Sequence, residues 1–131
     1  MKRFKLFTII FTLFVLSVNC AGCKQTGELP KYEFRGAWLH VVGNRTIATM
    51  DLQQIQQWFQ LALDSLQMTG CNAVIFQVRP TADAFYKSDI EPWSRYLTGV
   101  QGKAPEPFWD PLQFMIEESH KRGMELHAWC N

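Results

Sequence analysis

Two stretches of the chain, 73–79 and 124–131, combine apolar residues with side chains that can hold a ligand. Both stretches turn polar toward their C-terminal ends. Amide, guanidinium and imidazole groups donate or accept hydrogen bonds, and an indole ring offers a flat apolar surface; a few such groups give an otherwise apolar pocket its specificity. The predicted binding residues are Gln77, Arg79, His127, Trp129 and Asn131.

The elements that position these side chains follow from the spacing of apolar residues. Three short apolar or alternating stretches predict strands, and stretches with apolar residues three and four apart predict helices. Asp110 and Pro111 are residue types that commonly begin a helix. Gly70 and Gly123 are of the type that commonly follows the last turn of a helix. The predicted strands are 34–42, 73–78 and 124–131, and the predicted helices are 51–68 and the segment that starts at Asp110.

The order of these elements, βαβαβ, is typical of an α/β domain with parallel strands. Gly36 and Gly43 are too far apart for the glycine fingerprint of a dinucleotide-binding sheet, so a barrel is favoured. The segment 79–109 is unusually long for a strand-to-helix connection, which favours a functional loop. Barrel enzymes build their sites at the C-terminal ends of the strands, where the polar side chains are predicted to cluster.

Several spaced motifs carry a resemblance to a known family: RGAW at 35–38, FQVRP at 76–80, EPWS at 91–94, LTG at 97–99 and HAWCN at 127–131. Together they are similar to the N-terminal portion of the glycosyl-hydrolase-like family 10 proteins, over roughly 34–131. Cys130 stands where an aromatic residue is commoner in the family. The resemblance implies the truncated N-terminal βαβαβ portion of a (β/α)8 TIM-type barrel, and hydrolysis of a glycosidic bond with a glycan as substrate.

Such hydrolysis needs two carboxyl groups about 5 to 10 Å apart. Asp83 follows the second strand at the active end and joins the predicted binding residues. Glu125 lies at the start of the third strand, which is the wrong end, while Asp89 and Glu91 lie in a loop expected to be solvated. The resemblance places the catalytic acids on later strands, so no catalytic acid is assigned.

Structural roles for the same residues stay open at this point. Arg79 could pair with Asp83 to brace the loop instead of holding a sugar. His127 is as compatible with a hydrogen-bonded core position as with a ligand contact. Trp38 and Trp129 could likewise fill the interior of a barrel.

The N-terminus predicts export. Lys2, Arg3 and Lys5 precede an apolar run at 6–16, the order of a secretory signal peptide. The run is shorter than the ~20 residues that span a bilayer. The family resemblance implies the more specific location, an outer-membrane or cell-surface protein of a Gram-negative bacterium.

The end of this segment resembles the lipobox of bacterial lipoproteins. Ala21 and Gly22 precede Cys23, which is therefore the predicted lipid-bearing residue. Cys20 replaces the usual leucine, and cleavage before Cys20 is the alternative. The predicted divisions are a signal peptide, a tether and a partial barrel domain at 1–22, 23–33 and 34–131.

Composition excludes several classes of partner. Thirteen basic and twelve acidic residues give a net charge of +1, so no basic face for nucleic acid is expected. Cys71 and Cys130 lie at or within predicted strands and are predicted as buried free thiols, and no His/Cys cluster predicts a metal. No cofactor is expected.

Length sets the last expectation. Removal of 1–22 leaves about 110 residues, whereas a (β/α)8 barrel needs ~250. The chain is therefore expected to be truncated, and two functions stay open. One is a glycoside hydrolase that is incomplete and inactive alone; the other is a noncatalytic surface lipoprotein that binds a glycan or a partner.

Overall fold

A computed structural model describes residues 33–44 and 46–131. The predicted signal peptide, Cys23 and nearly all of the predicted tether lie outside the described residues. Within those residues no helix has the length and apolar character that crossing a membrane requires. The elements, in chain order, are β1 (Gly36–Leu39), a 3-10 helix (Ile47–Thr49), α1 (Leu52–Met68), β2 (Ala73–Arg79), α2 (Arg95–Thr98), α3 (Pro111–Lys121) and β3 (Glu125–Cys130).

The three strands form one parallel sheet in the order β1-β2-β3. This confirms the predicted α/β class, the parallel strands and their order. β1 is shorter than predicted because the backbone N–H groups of Val41 and Val42 donate to the side chain of Gln77, not to a neighbouring strand. β2 runs one residue further than predicted, through Arg79.

Both predicted long helices form, and their caps explain where they begin. The Asp51 side chain accepts the N–H of Gln54, whose own side chain accepts the N–H of Asp51, a reciprocal capping box. At the start of α3 the Asp110 side chain accepts the N–H of Gln113, and Pro111 occupies the first helical position. The short helix α2 within the long loop was not predicted.

The core lies between one face of the sheet and the helices α1 and α3. Phe59 of α1 packs edge-to-face on Phe76 of β2, with ring centroids 5.4 Å apart, and Phe85 from the long loop packs edge-to-face on Phe76 at 6.2 Å. All three rings are fully buried. The apolar side chains predicted to share one face of β2 are enclosed in the same cluster: Val74, Phe76 and Val78.

Charged groups join α1 to α3 beside this core. The buried Glu118 carboxylate accepts hydrogen bonds from Lys121, Arg122 and Gln60. Those from Lys121 and then Arg122 lower the pKa of Glu118 from 4.5 to about 2. Arg122 also donates to Asp64 of α1, which connects the two helices through one guanidinium.

We expect Glu118→Gln to lower the free energy of unfolding at neutral pH by about 1 to 3 kcal/mol, because two cationic donors lose their charged acceptor. A folded-state pKa below the unfolded value stabilises the fold above pH 4.5, and this contribution is lost as the pH falls toward 2. Urea denaturation should therefore give a smaller difference between wild type and variant in acid than at neutral pH. Glu117→Gln, at the exposed neighbouring position, is the control; an equal loss in both variants would contradict the assignment.

Candidate functional site

The C-terminal ends of β2 and β3 meet at one edge of the sheet. The register places Gln77 opposite Trp129, and the N–H of Asn131 donates to the C=O of Arg79 at 2.9 Å. The Asn131 amide also donates to the C=O of Pro80 at 3.3 Å. The structure thus brings together four of the six predicted binding residues.

A register shift lies between Gln77 and Arg79. Gln77 pairs with Trp129 and Arg79 pairs with Cys130, so β2 has one residue more than β3 over this stretch. Such a bulge interrupts the alternation of side chains across a strand. The prediction that Arg79 follows Gln77 on one face rests on regular alternation, which this bulge interrupts, so the contacts of Arg79 are described individually.

Those contacts tie Arg79 to the long loop. Its guanidinium donates to the Glu91 carboxylate and to the C=O of Asn131, and the Tyr86 hydroxyl donates to the other Glu91 oxygen at 3.1 Å. The hydrogen bond with Glu91 raises the pKa of Arg79, and burial, followed by the hydrogen bond with Glu91, raises the pKa of Tyr86. We call Arg79, Tyr86 and Glu91 the loop brace.

The loop brace corrects two expectations. Arg79 does brace the loop, but its carboxylate partner is Glu91 and not Asp83. The Glu91 side chain is only 17% exposed, whereas a solvated position was expected. The cause is a bridge between Ala84 and Trp93, which folds the loop back and brings Glu91 beside the end of β2.

Asp83 is enclosed at the start of the same loop. It is fully buried, its Oδ1 accepts the N–H of Thr81 at 3.2 Å, and its Oδ2 has no partner among the described residues. A buried carboxyl oxygen without a hydrogen-bond partner lowers the stability of the fold. Its enclosure separates Asp83 from the exposed polar groups at the strand ends.

His127 lies nearer the N-terminal end of β3 than Trp129 does. It pairs in register with Ile75, near the middle of β2. Its side chain is 47% exposed, its Nε2 lies 3.2 Å from Glu125 Oε2, and its ring packs edge-to-face on Phe34. His127 is therefore not the buried core residue that one interpretation allowed.

Gln77 and two indole rings occupy the sheet face opposite the helices. Gln77 is 2% exposed, and its Oε1 accepts the N–H groups of Val41 at 3.0 Å and Val42 at 3.3 Å. Trp38 of β1 and Trp129 of β3 meet edge-to-face, with ring centroids 4.8 Å apart and planes at 86°. The rings meet across β2, because Trp38 pairs with Ile75 and Trp129 with Gln77.

The remaining candidates lie outside this cluster. Glu125 pairs with Ala73 at the opposite end of the sheet, as predicted, and Asp89 is exposed. Cys71 and Cys130 are free thiols, but Cys71 is half-buried and Cys130 is exposed, so the predicted burial of both is wrong. A cleft of about 480 Å³ lies between the start of α1 and the segment 97–109, and no predicted binding residue lines it.

Three parallel strands whose polar side chains meet at their C-terminal ends are consistent with part of a barrel. The profile of the family described as "Glycosyl hydrolase-like 10" matches residues 33–131. The chain therefore belongs to the glycosyl hydrolase-like 10 family, as the motifs predicted.

Relatives from two organisms illustrate the match. Glycosyl hydrolase YngK of Bacillus subtilis (strain 168) is 45% identical over 129 residues, which cover 96% of this chain and 24% of the relative. Glycosyl hydrolase DigH of Escherichia coli (strain K12) is 43% identical over 123 residues, which cover 85% of this chain and 28% of the relative. The chain thus spans about a quarter of the length of these curated relatives.

The loop brace makes a prediction about the long loop. Glu91→Gln removes the charge that Arg79 contacts and weakens the acceptor for Tyr86, so the loop should open more often. We expect trypsin to cut after Lys87 roughly threefold faster or more, as followed by mass spectrometry. Asp89→Asn removes the same charge from an exposed neighbour and should leave the rate unchanged; equal acceleration by both variants would contradict the brace.

Proposed function

We propose that this chain is the N-terminal portion of a glycoside hydrolase that acts on a glycan or a cell-wall oligosaccharide. The observation that carries the proposal is the meeting of Gln77, Arg79, Trp129 and Asn131 at one edge of a parallel sheet, in a member of a glycosyl hydrolase-like family. The relatives' names, each a glycosyl hydrolase, support it.

In this proposal the segment binds the sugar. The Trp129 ring stacks on the apolar face of a pyranose, while the amides of Gln77 and Asn131 hydrogen-bond its hydroxyl groups. Arg79 holds the loop through Glu91 and keeps Nη2, which makes no hydrogen bond to a described residue, for the ligand. Of the other two predicted residues, His127 joins the proposed substrate-binding set from nearer the start of β3, whereas the enclosed Asp83 holds the start of the loop through Thr81.

The catalytic carboxylates are proposed to come from the part of the family-length sequence that this chain does not span. A glycosidase needs one carboxyl group to protonate the leaving oxygen and a second to act as base or nucleophile. Asp83 is enclosed, Glu91 is held by Arg79 and Tyr86, and Glu125 lies at the far end of the sheet. None of these three is available to form such a pair.

We expect the 131-residue chain to show no glycosidase activity and a family-length chain to show it. Here a family-length chain is this segment followed by the remaining three quarters of a family sequence. Loss of general acid catalysis alone costs ~10²–10⁴-fold in rate. The measurement is release of reducing ends from a panel of glycans and cell-wall oligosaccharides.

Two outcomes would change the proposal. Turnover by the 131-residue chain that disappears in Asp83→Asn would make Asp83 catalytic. Turnover by neither protein would favour the second candidate, a noncatalytic glycan- or partner-binding surface lipoprotein. The observation behind that candidate is that hydrogen-bonding groups are in place at the strand ends while no carboxylate pair is available among the described residues.

We also propose that the protein is exported and anchored by lipid at Cys23, on the outer membrane or cell surface of a Gram-negative bacterium. The charged start, the short apolar run and the small residues before Cys23 support this. The short segment between Cys23 and β1 would then tether the domain to the membrane surface.

Lipidation is testable at a single sulfur atom. Expression in a bacterial host should give a membrane-bound product whose N-terminal peptide begins at Cys23 and carries the mass of a diacylated cysteine. Cys23→Ser should release the protein from the membrane fraction, whereas Cys20→Ser should not. A product that starts elsewhere, or is anchored through Cys20, would contradict the assignment.

A further inference from the structure

The buried side-chain amide of Gln77 has a hydrogen-bonded oxygen and a nitrogen without a hydrogen-bond acceptor among the described residues. Its Oε1 accepts two backbone hydrogen bonds, from Val41 and Val42, although the residue is only 2% exposed. Its Nε2 donates to no other described residue. Buried polar groups in proteins are normally paired, so a free donor at this position calls for an explanation.

The orientation of this amide follows from the two backbone donors. An amide side chain can be placed with its oxygen and nitrogen exchanged, and the hydrogen-bond partners decide between the two placements. Two N–H groups can donate only to the oxygen, so Nε2 must lie on the side away from Val41 and Val42. Gln77 therefore presents a donor in a fixed direction.

The free donor also remains reachable. The fully enclosed polar atoms without a partner, among the described residues, are Asp83 Oδ2, Trp109 Nε1 and Ser119 Oγ. Gln77 Nε2 is not one of them, so the exposed remainder of the side chain includes this atom. Trp129, the register partner of Gln77, packs edge-to-face on Trp38, so the two rings lie on the same face of the sheet.

We propose that Gln77 has two separate functions: Oε1 fixes the end of β1, and Nε2 is the directional donor to an acceptor oxygen of a sugar ring. This inference rests on the proposed function and deepens it, because it makes Gln77 the residue that selects an acceptor at this point of the ligand. The neighbouring indole pair gives the sugar its apolar contact. Arg79 is a separate donor, since its Nε and Nη1 are held by Glu91 and Asn131 and only its Nη2 is left for the ligand.

Gln77→Glu tests the two functions separately. The substitution keeps an oxygen for Val41 and Val42 and replaces only the donor by an acceptor of the same shape. In the family-length chain we expect the melting temperature to fall near pH 8, where the buried carboxylate is charged, and to change little near pH 4, where the carboxyl group is protonated. Affinity for chitotetraose or cellotetraose, measured by isothermal titration calorimetry, should fall about tenfold or more. Gln57→Glu, an exposed position on α1, is the control for the added charge.

The pH dependence of the variant distinguishes a donor from a merely structural residue. A protonated carboxyl group carries an O–H that can donate where Nε2 did. The affinity of Gln77→Glu should therefore recover toward that of the wild type as the pH is lowered from about 8 to about 4. The wild-type profile over the same range accounts for titration of the nearby groups, namely His40 directly after β1, Asp83 in the loop and His127 on β3, while Arg79 on β2 stays charged.

Two results would overturn the inference: unchanged affinity in Gln77→Glu, or a loss that does not depend on pH. Gln77→Leu, which leaves two backbone donors unpaired, should in addition lower the melting temperature, and an unchanged value would contradict the role of Oε1. Failure here is distinguishable from failure of the proposed function. If the family-length chain hydrolyses glycans but Gln77→Glu does not change its affinity, only the role of Gln77 is contradicted. If Gln77→Glu binds the sugar with the expected pH dependence but no hydrolysis is detected, only the proposed hydrolase activity is contradicted.

Discussion

The hydrogen-bond ladder of β2 is the constraint on which the rest of the structure depends. β2 pairs with β1 on one side and with β3 on the other, so its register fixes both neighbours. Phe76 is buried against the helices, while Gln77 extends the ladder through its side chain to the end of β1. A displacement of β2 by one residue would exchange its two faces, so it would disrupt the core and the site at the same time.

The end of β2 serves the loop as well as the sheet. After Gln77 one extra residue breaks the regular ladder, and Arg79 then contacts Glu91 and the last residue of the chain, Asn131. A strictly regular strand would have paired Arg79 with Asn131 in register. The irregularity thus connects the long loop to a rigid scaffold, which is how loops become precise enough to carry a site.

The sequence predicted those features that depend on neighbouring residues in the chain. Apolar spacing predicted α1 and the three strands, and the residue types at Asp51, Asp110 and Pro111 are consistent with where the helices begin, because caps and periodicity act within a few residues. The misses depend on contacts between distant segments. Glu91 reaches Arg79 across twelve residues, and β1 ends early because a side chain of β2 takes its N–H groups. No local signal distinguishes a solvated glutamate from one folded back onto an arginine.

The exposed face of the sheet indicates how later strands of a barrel would complete the site. Trp38 is 63% exposed and Phe34 is 57% exposed. Among the described residues, β1 and β3 are the outer strands of the sheet, and each has one edge without a neighbouring strand. In a closed barrel both edges are paired, and side chains from every strand converge on the interior. Carboxylates on later strands would then face the same space as Gln77 Nε2 and the Trp38–Trp129 pair. Closure of the barrel would bring together binding groups on the first strands and reacting groups on the later ones. Each part would then depend on the other for activity, while its own contacts form locally.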